Sequence, residues 1–344
     1  MPESKDFPFD PLECDAYLIF SGAQEPAVQA TLRARTAYWL IVNHRPSPLP
    51  PPRDGVGAST VQLPQGPWSR VLDFLVEQFP GVGEQAWRSR LARGLVLDAR
   101  SQPLAPDSPY RAGGQLYYYR ELQQEIPVPF EAELLYQDEQ LLVADKPHFL
   151  PVVPAGRHLQ ETLLLRLRRR LDLPELAPLH RIDRGTAGLV LFSVNERTRG
   201  RYQALFARRA VEKVYEALAP HLPGRGFPLR HRSRLEAGEP FFLMREAAGE
   251  PNSETGIEIA ERRGALDLYR LRPVTGRKHQ LRVHLAALGA PILNDDFYPV
   301  LSPADEADFS RPLQLLARSL EFRDPLDGRI RRFESRRQLL ESAY

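Results

Sequence analysis

The stretch LAPLHRIDRGTAGLVLF, residues 176–192, closes on an apolar run from Gly188 to Phe192 that reads as a buried strand. Just ahead of that run the chain sets one carboxylate, Asp183, between the guanidiniums of Arg181 and Arg184. Nearby cations favour an ionised carboxylate, and an ionised carboxylate at a strand end can act as nucleophile or base. Taken alone, an aspartate beside arginines reads equally as a surface ion pair of little weight. Its company has to decide.

Two later segments supply that company. In VEKVYEALA, residues 211–219, a period of two puts Lys213 and Tyr215 on one strand face and Val214, Glu216 and Leu218 on the other. Such a pair lines a sheet edge, or stacks a base while the ammonium meets a phosphate. In LYRLRPVTGRKHQLRVHLAALGAPILNDDFY, residues 268–298, a strand leads through a Thr-Gly turn into a helix ended by Gly289 and Pro291. Leu281, Leu285 and Leu288 form its buried stripe, with Lys278 and Arg282 four apart on another face. The turn reads as an anion site built from Thr275, Arg277 and free backbone amides. His279 and His284 are five apart with no glutamate between them in the metal-binding pattern, so they read as helix-surface histidines and no metal is expected.

A chain of 344 residues holds about two domains. With 42% hydrophobic and 26% charged residues it reads as globular, and no apolar run is long enough for a membrane helix. The N-terminus MPESKDFPFD does not read as an export signal, and the single cysteine, Cys14, fits a reducing, cytoplasmic setting. Positive charge is concentrated: residues 155–213 hold 13 Lys and Arg against 6 Asp and Glu, which attracts a phosphate backbone or simply solvates a helix face.

Three regions are expected. Residues 1–60 form an extension, with a possible helix in 25–42 and a linker carrying five prolines between 46 and 52. Residues 61–122 form a small module of two helices and two strands, whose Arg88, Arg90 and Arg93 could touch RNA phosphates. Residues 128–340 form an α+β domain on a mixed, largely antiparallel sheet.

HRIDRGTAGL, EKVYEALA and RPVTGRKHQLRVHLAALGAPILNDDFY, in that order and after the early DEQLLVADKP, resemble the RluA-type family of pseudouridine synthases. The small module resembles in part the alpha-L RNA-binding module, with LDAR and AGGQ where Asn-Gly and Gly-Asp are usual. The resemblance implies isomerisation of a uridine in ribosomal or transfer RNA, with no cofactor, no membrane and no obligatory protein partner. It implies Asp183 as the catalytic carboxylate, Arg282 as its buried partner and Tyr215 as the aromatic against the uracil. Arg181 would fill the vacated place in the RNA stack. Arg184, Lys213, Arg277, His180 and Thr186 complete the expected RNA and substrate contacts. Ala187, Ile182, Asn294 and Leu316 depart from the family's usual serine, leucine, glycine and histidine. Two alternatives are a non-catalytic RNA-binding ribosome-assembly protein on the same scaffold and a phosphate-handling enzyme using TGRK.

Overall fold

The computed structural model describes residues 49–122, 124–302 and 307–339. Cys14, the possible helix in 25–42 and most of the N-terminal extension lie outside the described residues. The chain divides into two compact units, Met1–Gln123 with Ala155–Leu159, and Gln124–Pro154 with Gln160–Tyr344.

In the first unit β1 (Ser59–Gln62) precedes α1 (Val71–Gln78), α2 (Glu84–Ala92), β2 (Val96–Asp98) and β3 (Gln115–Tyr118), and the sheet order is β1-β3-β2. Val71, Leu72, Phe74 and Leu75 of α1 pack with Trp87 and Leu91 of α2 over Val61, Val96, Leu116 and Tyr118. The strand β1 begins inside what the sequence suggests is linker, because only one apolar residue, Val61, marks it. The arginines of α2 serve the module itself. Arg90 is buried against the Trp87 ring, Arg93 pairs with Glu121 at 2.5 Å, and Arg88 pairs with Glu84 at 2.6 Å.

The second unit runs β4 (Glu133–Gln137), β5 (Leu141–Lys146), α3 (Leu163–Leu171), β6 (Ala177–Pro178), β7 (Ala187–Ser193), α4 (Glu196–Ala207), β8 (Val211–Pro220), β9 (Leu229–Ala237), β10 (Met244–Ala247), β11 (Ser253–Arg263), β12 (Leu266–Pro273), α5 (Gln280–Leu288), β13 (Leu315–Arg323) and β14 (Ile330–Glu334). Among the described residues its sheet follows the order β10-β9-β11-β12-β8-β13-β7-β5-β4, with β14 on β13 and β6 on β7. All pairings are antiparallel except β13 with β7. This is the mixed α+β architecture expected. Strand alternation loads both faces of β5 and β7. Leu142, Ala144, Val190 and Phe192 meet Leu163, Leu164 and Leu167 of α3, while Leu141, Val143, Leu189 and Leu191 meet Tyr202 of α4. Further along, Leu281, Leu285 and Leu288 of α5 cover Ala217, Ala219, Ile257, Tyr269 and Leu271.

The strand β13 joins the two halves of this sheet. Ala317 pairs with Tyr215 of β8 on one side and with Gly188 of β7 on the other. The parallel approach is so close that a Cβ on Gly188 would lie 2.3 Å from the Ala317 carbonyl oxygen, and Gly188 also has φ of +106°. The loop carrying Asp183 therefore enters the sheet beside Tyr215.

Buried polar groups fix that loop. The Lys146 ammonium, fully buried, donates to the carbonyls of Pro147 (2.9 Å), Leu150 (2.7 Å) and Arg184 (3.1 Å). His148 Nδ1 donates to the Gly185 carbonyl at 2.7 Å. His180 accepts at Nε2 from the Leu191 amide at 3.1 Å and stacks on Phe206. In α5, His284 is bonded at Nε2 to Ser253 (2.9 Å) and Ser233 (3.1 Å) and at Nδ1 to Thr255 (2.9 Å).

Gly188→Ala is expected to destabilise the protein by more than about 2 kcal/mol, since the clash is with backbone and the conformation disfavours any side chain. Gly200→Ala, in α4 with nothing within 4 Å of the added Cβ, is expected to stabilise it by about 0.5–1 kcal/mol. Denaturant unfolding of the two variants measures both. Burial lowers the pKa of His148 and His284 to about 4 and of His180 to about 3. Between those values and the ordinary 6.5 the unfolded chain binds more protons than the folded one, so stability is present above about pH 6.5 and falls with acidification. Unfolding free energy at pH 5 is expected to lie at least about 2 kcal/mol below its value at pH 7.

Candidate active site

Asp183 sits in the turn between β6 and β7, its side chain 31% exposed. The Thr186 amide closes the turn on the Asp183 carbonyl at 3.1 Å. Behind it, Ile182 packs into the core beneath α3, while Arg181 points outward and is exposed. Arg184 passes over the Phe149 ring at 5.9 Å.

Arg282, on the first turn of α5, reaches Asp183 with Nη1 at 3.3 Å from Oδ2. The rest of its guanidinium is held by Asp295, with Nε to Oδ2 at 2.8 Å and Nη2 to Oδ1 at 2.6 Å. Asp295 Oδ1 also accepts the amides of Phe297 (2.9 Å) and Tyr298 (3.2 Å), whose rings pack on the same guanidinium. Both side chains of this pair are buried. A two-pronged contact of this kind fixes orientation as well as charge.

Burial opposes the Asp183 carboxylate, yet His279 and Arg282 with their positive charge, the Arg282 hydrogen bond and Lys278 together hold its pKa below the ordinary carboxylate value. Burial itself lowers the pKa of His279 to about 4. At neutral pH the cation acting on Asp183 from α5 is therefore Arg282, whose pKa is raised, against the cost of burial, chiefly by its bonds to Asp295. Tyr215 lies where the α3 and α5 cores meet. Burial, and then the charge of Asp183, push its phenol pKa up, so it is protonated at neutral pH.

The geometry thus unites Asp183, Arg282 and Tyr215. Lys213 runs along β8 to the Thr-Gly turn, its Nζ 3.7 Å from where a Gly276 Cβ would stand, and the exposed Arg277 follows in that turn. His180 and Thr186 are placed otherwise than expected for RNA contacts. The His180 ring is bonded to strand β7, and Thr186 is 2% exposed at the base of the loop.

The anion site expected around Thr275 is not formed, because the turn satisfies itself. Thr275 Oγ1 accepts the Glu254 amide at 2.9 Å and donates to Gln280 Oε1 at 2.6 Å, which also accepts the Arg277 amide. Nor are the histidines of α5 on the surface, since His279 and His284 are both buried. His284 stands with His231 and Glu246 in the one metal-like grouping among the described residues, their ligand atoms within 4.8 Å of one another. Both nitrogens of His284 are taken by hydroxyls and His231 Nε2 is bonded to Glu246 at 2.7 Å, so the grouping serves as a hydrogen-bonded joint between α5 and the sheet. Lys146, His148 and Tyr298 carry no signal that singles them out in the sequence, and His279 reads there as a helix-surface histidine. For Asp295 the usable signal is the acidic pair of LNDDFY following a helix that carries an arginine on its first turn.

The RNA pseudouridylate synthase family model matches residues 140–287. An uncharacterised RNA pseudouridine synthase of Synechocystis is 30% identical over 234 residues, covering 66% of this chain and 79% of that protein. The dual-specificity RNA pseudouridine synthase RluA of Vibrio vulnificus is 34% identical over 200 residues, covering 56% and 78%. Among solved structures, human RNA pseudouridylate synthase domain containing 1 aligns with a TM-score of 0.48 at 23% identity, over 64% of this chain and 94% of that one. The matched span contains Asp183, Tyr215 and Arg282, and the likeness extends over most of two bacterial relatives: this chain belongs to the RluA-type pseudouridine synthase family and is an RNA-modifying isomerase.

Proposed function

We propose that the chain isomerises a uridine in structured ribosomal or transfer RNA, in the cytoplasm, with Asp183 as the catalytic carboxylate. The observation that carries this is the clamp of Arg282 by Asp295, which presents a fixed positive charge to Asp183 and keeps it ionised. The reaction breaks the bond from ribose C1′ to N1 of the base and forms one from C1′ to C5. The hydrogen on C5 leaves and N1 takes one up, so atoms balance without a co-reactant. Attack on the ribose, attack on the base and abstraction of a sugar proton all need an ionised carboxylate.

A uridine within stacked RNA has to be turned out of the stack to reach Asp183, at a cost of a few kcal/mol. Arg181, exposed on the Asp183 loop, is the residue that takes the vacated place. Tyr215 packs on the uracil, while Arg184, Lys213 and Arg277 meet phosphates. Residues 61–122 act as an RNA-binding module of the alpha-L type, which adds RNA contacts of its own.

Asp183→Asn is expected to lower single-turnover pseudouridine formation about a thousandfold or more while RNA affinity changes less than about twofold. A pseudouridine map of cells lacking the protein, complemented by wild type or by this variant, identifies the target uridine. An Asp183→Asn protein with full turnover would refute the assignment.

A further inference from the structure

His279 occupies the N-cap position of α5 with φ of 53° and ψ of 15°, a left-handed conformation that histidine adopts at a cost. Its Nδ1 lies 2.8 Å from the Tyr298 hydroxyl, its Nε2 lies 3.9 Å from Asp183 Oδ2, and its ring packs beside Phe297. The hydrogen bonds fix which nitrogen carries the proton. Tyr298 Oη accepts the Met244 amide at 2.8 Å, and among the described residues His279 Nδ1 is the acceptor within reach of the phenolic hydrogen. Tyr298 therefore donates to Nδ1, and the imidazole proton sits on Nε2, facing Asp183.

Arg282 donates to Oδ2 at 3.3 Å, and the Nε2–H of His279 faces the same oxygen from 3.9 Å, just beyond hydrogen-bond distance. Among the described residues none bonds to Oδ1. We propose that His279 is a positioning residue which, with Arg282, ties down Oδ2 of Asp183 and leaves Oδ1 as the oxygen that meets the substrate. The longer of the two contacts shortens when substrate fills the site, as catalytic hydrogen bonds commonly do. One turn sets both donors, since Asp295 grips Arg282 and the same segment presents Tyr298 to His279. The charged and titratable groups facing the imidazole are Asp183, Arg282, Lys278, Asp295 and Tyr298; burial outweighs them and keeps the ring neutral above about pH 4. It is a constant donor through the working range, not a base.

The assignment rests on Asp183 being the reactive carboxylate, which Asp183→Asn tests by itself. Single-turnover rate, its pH dependence and RNA affinity are to be measured for His279→Ala, His279→Gln and Tyr298→Phe. His279→Gln keeps an N–H near the Nε2 position, while Tyr298→Phe releases the tautomer. The Ala variant is expected to lose about ten- to a hundredfold in rate with RNA affinity unchanged. Its acid limb should move to higher pH, because Asp183 has lost a donor that favours its ionised form. The Gln variant should recover most of the rate and the wild-type limb, and Tyr298→Phe should shift the limb in the same direction as Ala by a smaller amount. An Ala variant with wild-type rate and limb overturns the proposal. So does a Gln variant that folds and binds RNA yet is as impaired as Ala, and if Ala does not fold, the Gln and Phe variants decide alone.

Discussion

The Arg282 guanidinium spans two carboxylates, one structural and one exposed to the reaction. Asp295, buried and bound by two backbone amides, takes two of its nitrogens, which leaves the third for Asp183. A buried arginine without a partner would be very costly, and a buried aspartate equally so. Each compensates the other, and the excess direction of the guanidinium is spent on holding Asp183 ionised. The turn after α5 and the loop before β7 are far apart in sequence, yet this contact makes them one site.

The sheet prepares the meeting. Gly188 lets β7 come against β13, so the Asp183 loop enters beside Tyr215, and Lys146 and His148 hold the carbonyls of Arg184 and Gly185 from beneath. Those two residues explain why the early DKPH segment accompanies the aspartate motif: it supplies donors to a loop that has no regular strand partners. The left-handed Asn294, with φ of 61°, stands where the family usually has glycine and leads directly into Asp295. Asparagine tolerates that conformation better than most residues.

Much of this was legible in residues 176–192 and 268–298. The apolar run and the leucine spacing gave β7 and α5, and the three ordered motifs gave Asp183, Tyr215 and Arg282. What stayed hidden was non-local. The strand β13 pairs locally with β14, but its pairings with β7 and β8 join it to segments more than 90 residues away, and no local pattern reveals those. Main-chain acceptors are invisible in a sequence, so the donors Lys146 and His148 looked incidental. The apolar stripe of α5 suggests one covered face and so places His279 and His284 at the surface, whereas the strands β9 and β11 and the Phe297–Tyr298 turn cover more of the helix. Thr275 resembled an anion ligand until Gln280, five residues on, proved to occupy its hydroxyl.

The Arg282–Asp295 pair sets the ionisation of Asp183. Removing both charges together, in an Arg282→Gln, Asp295→Asn double variant, avoids leaving either one buried alone. The measurement is the Asp183 carboxyl titration by carbon-13 NMR, beside wild type. The Asp183 pKa is expected to rise by about one unit or more. A folded double variant whose Asp183 titrates as in wild type would contradict it.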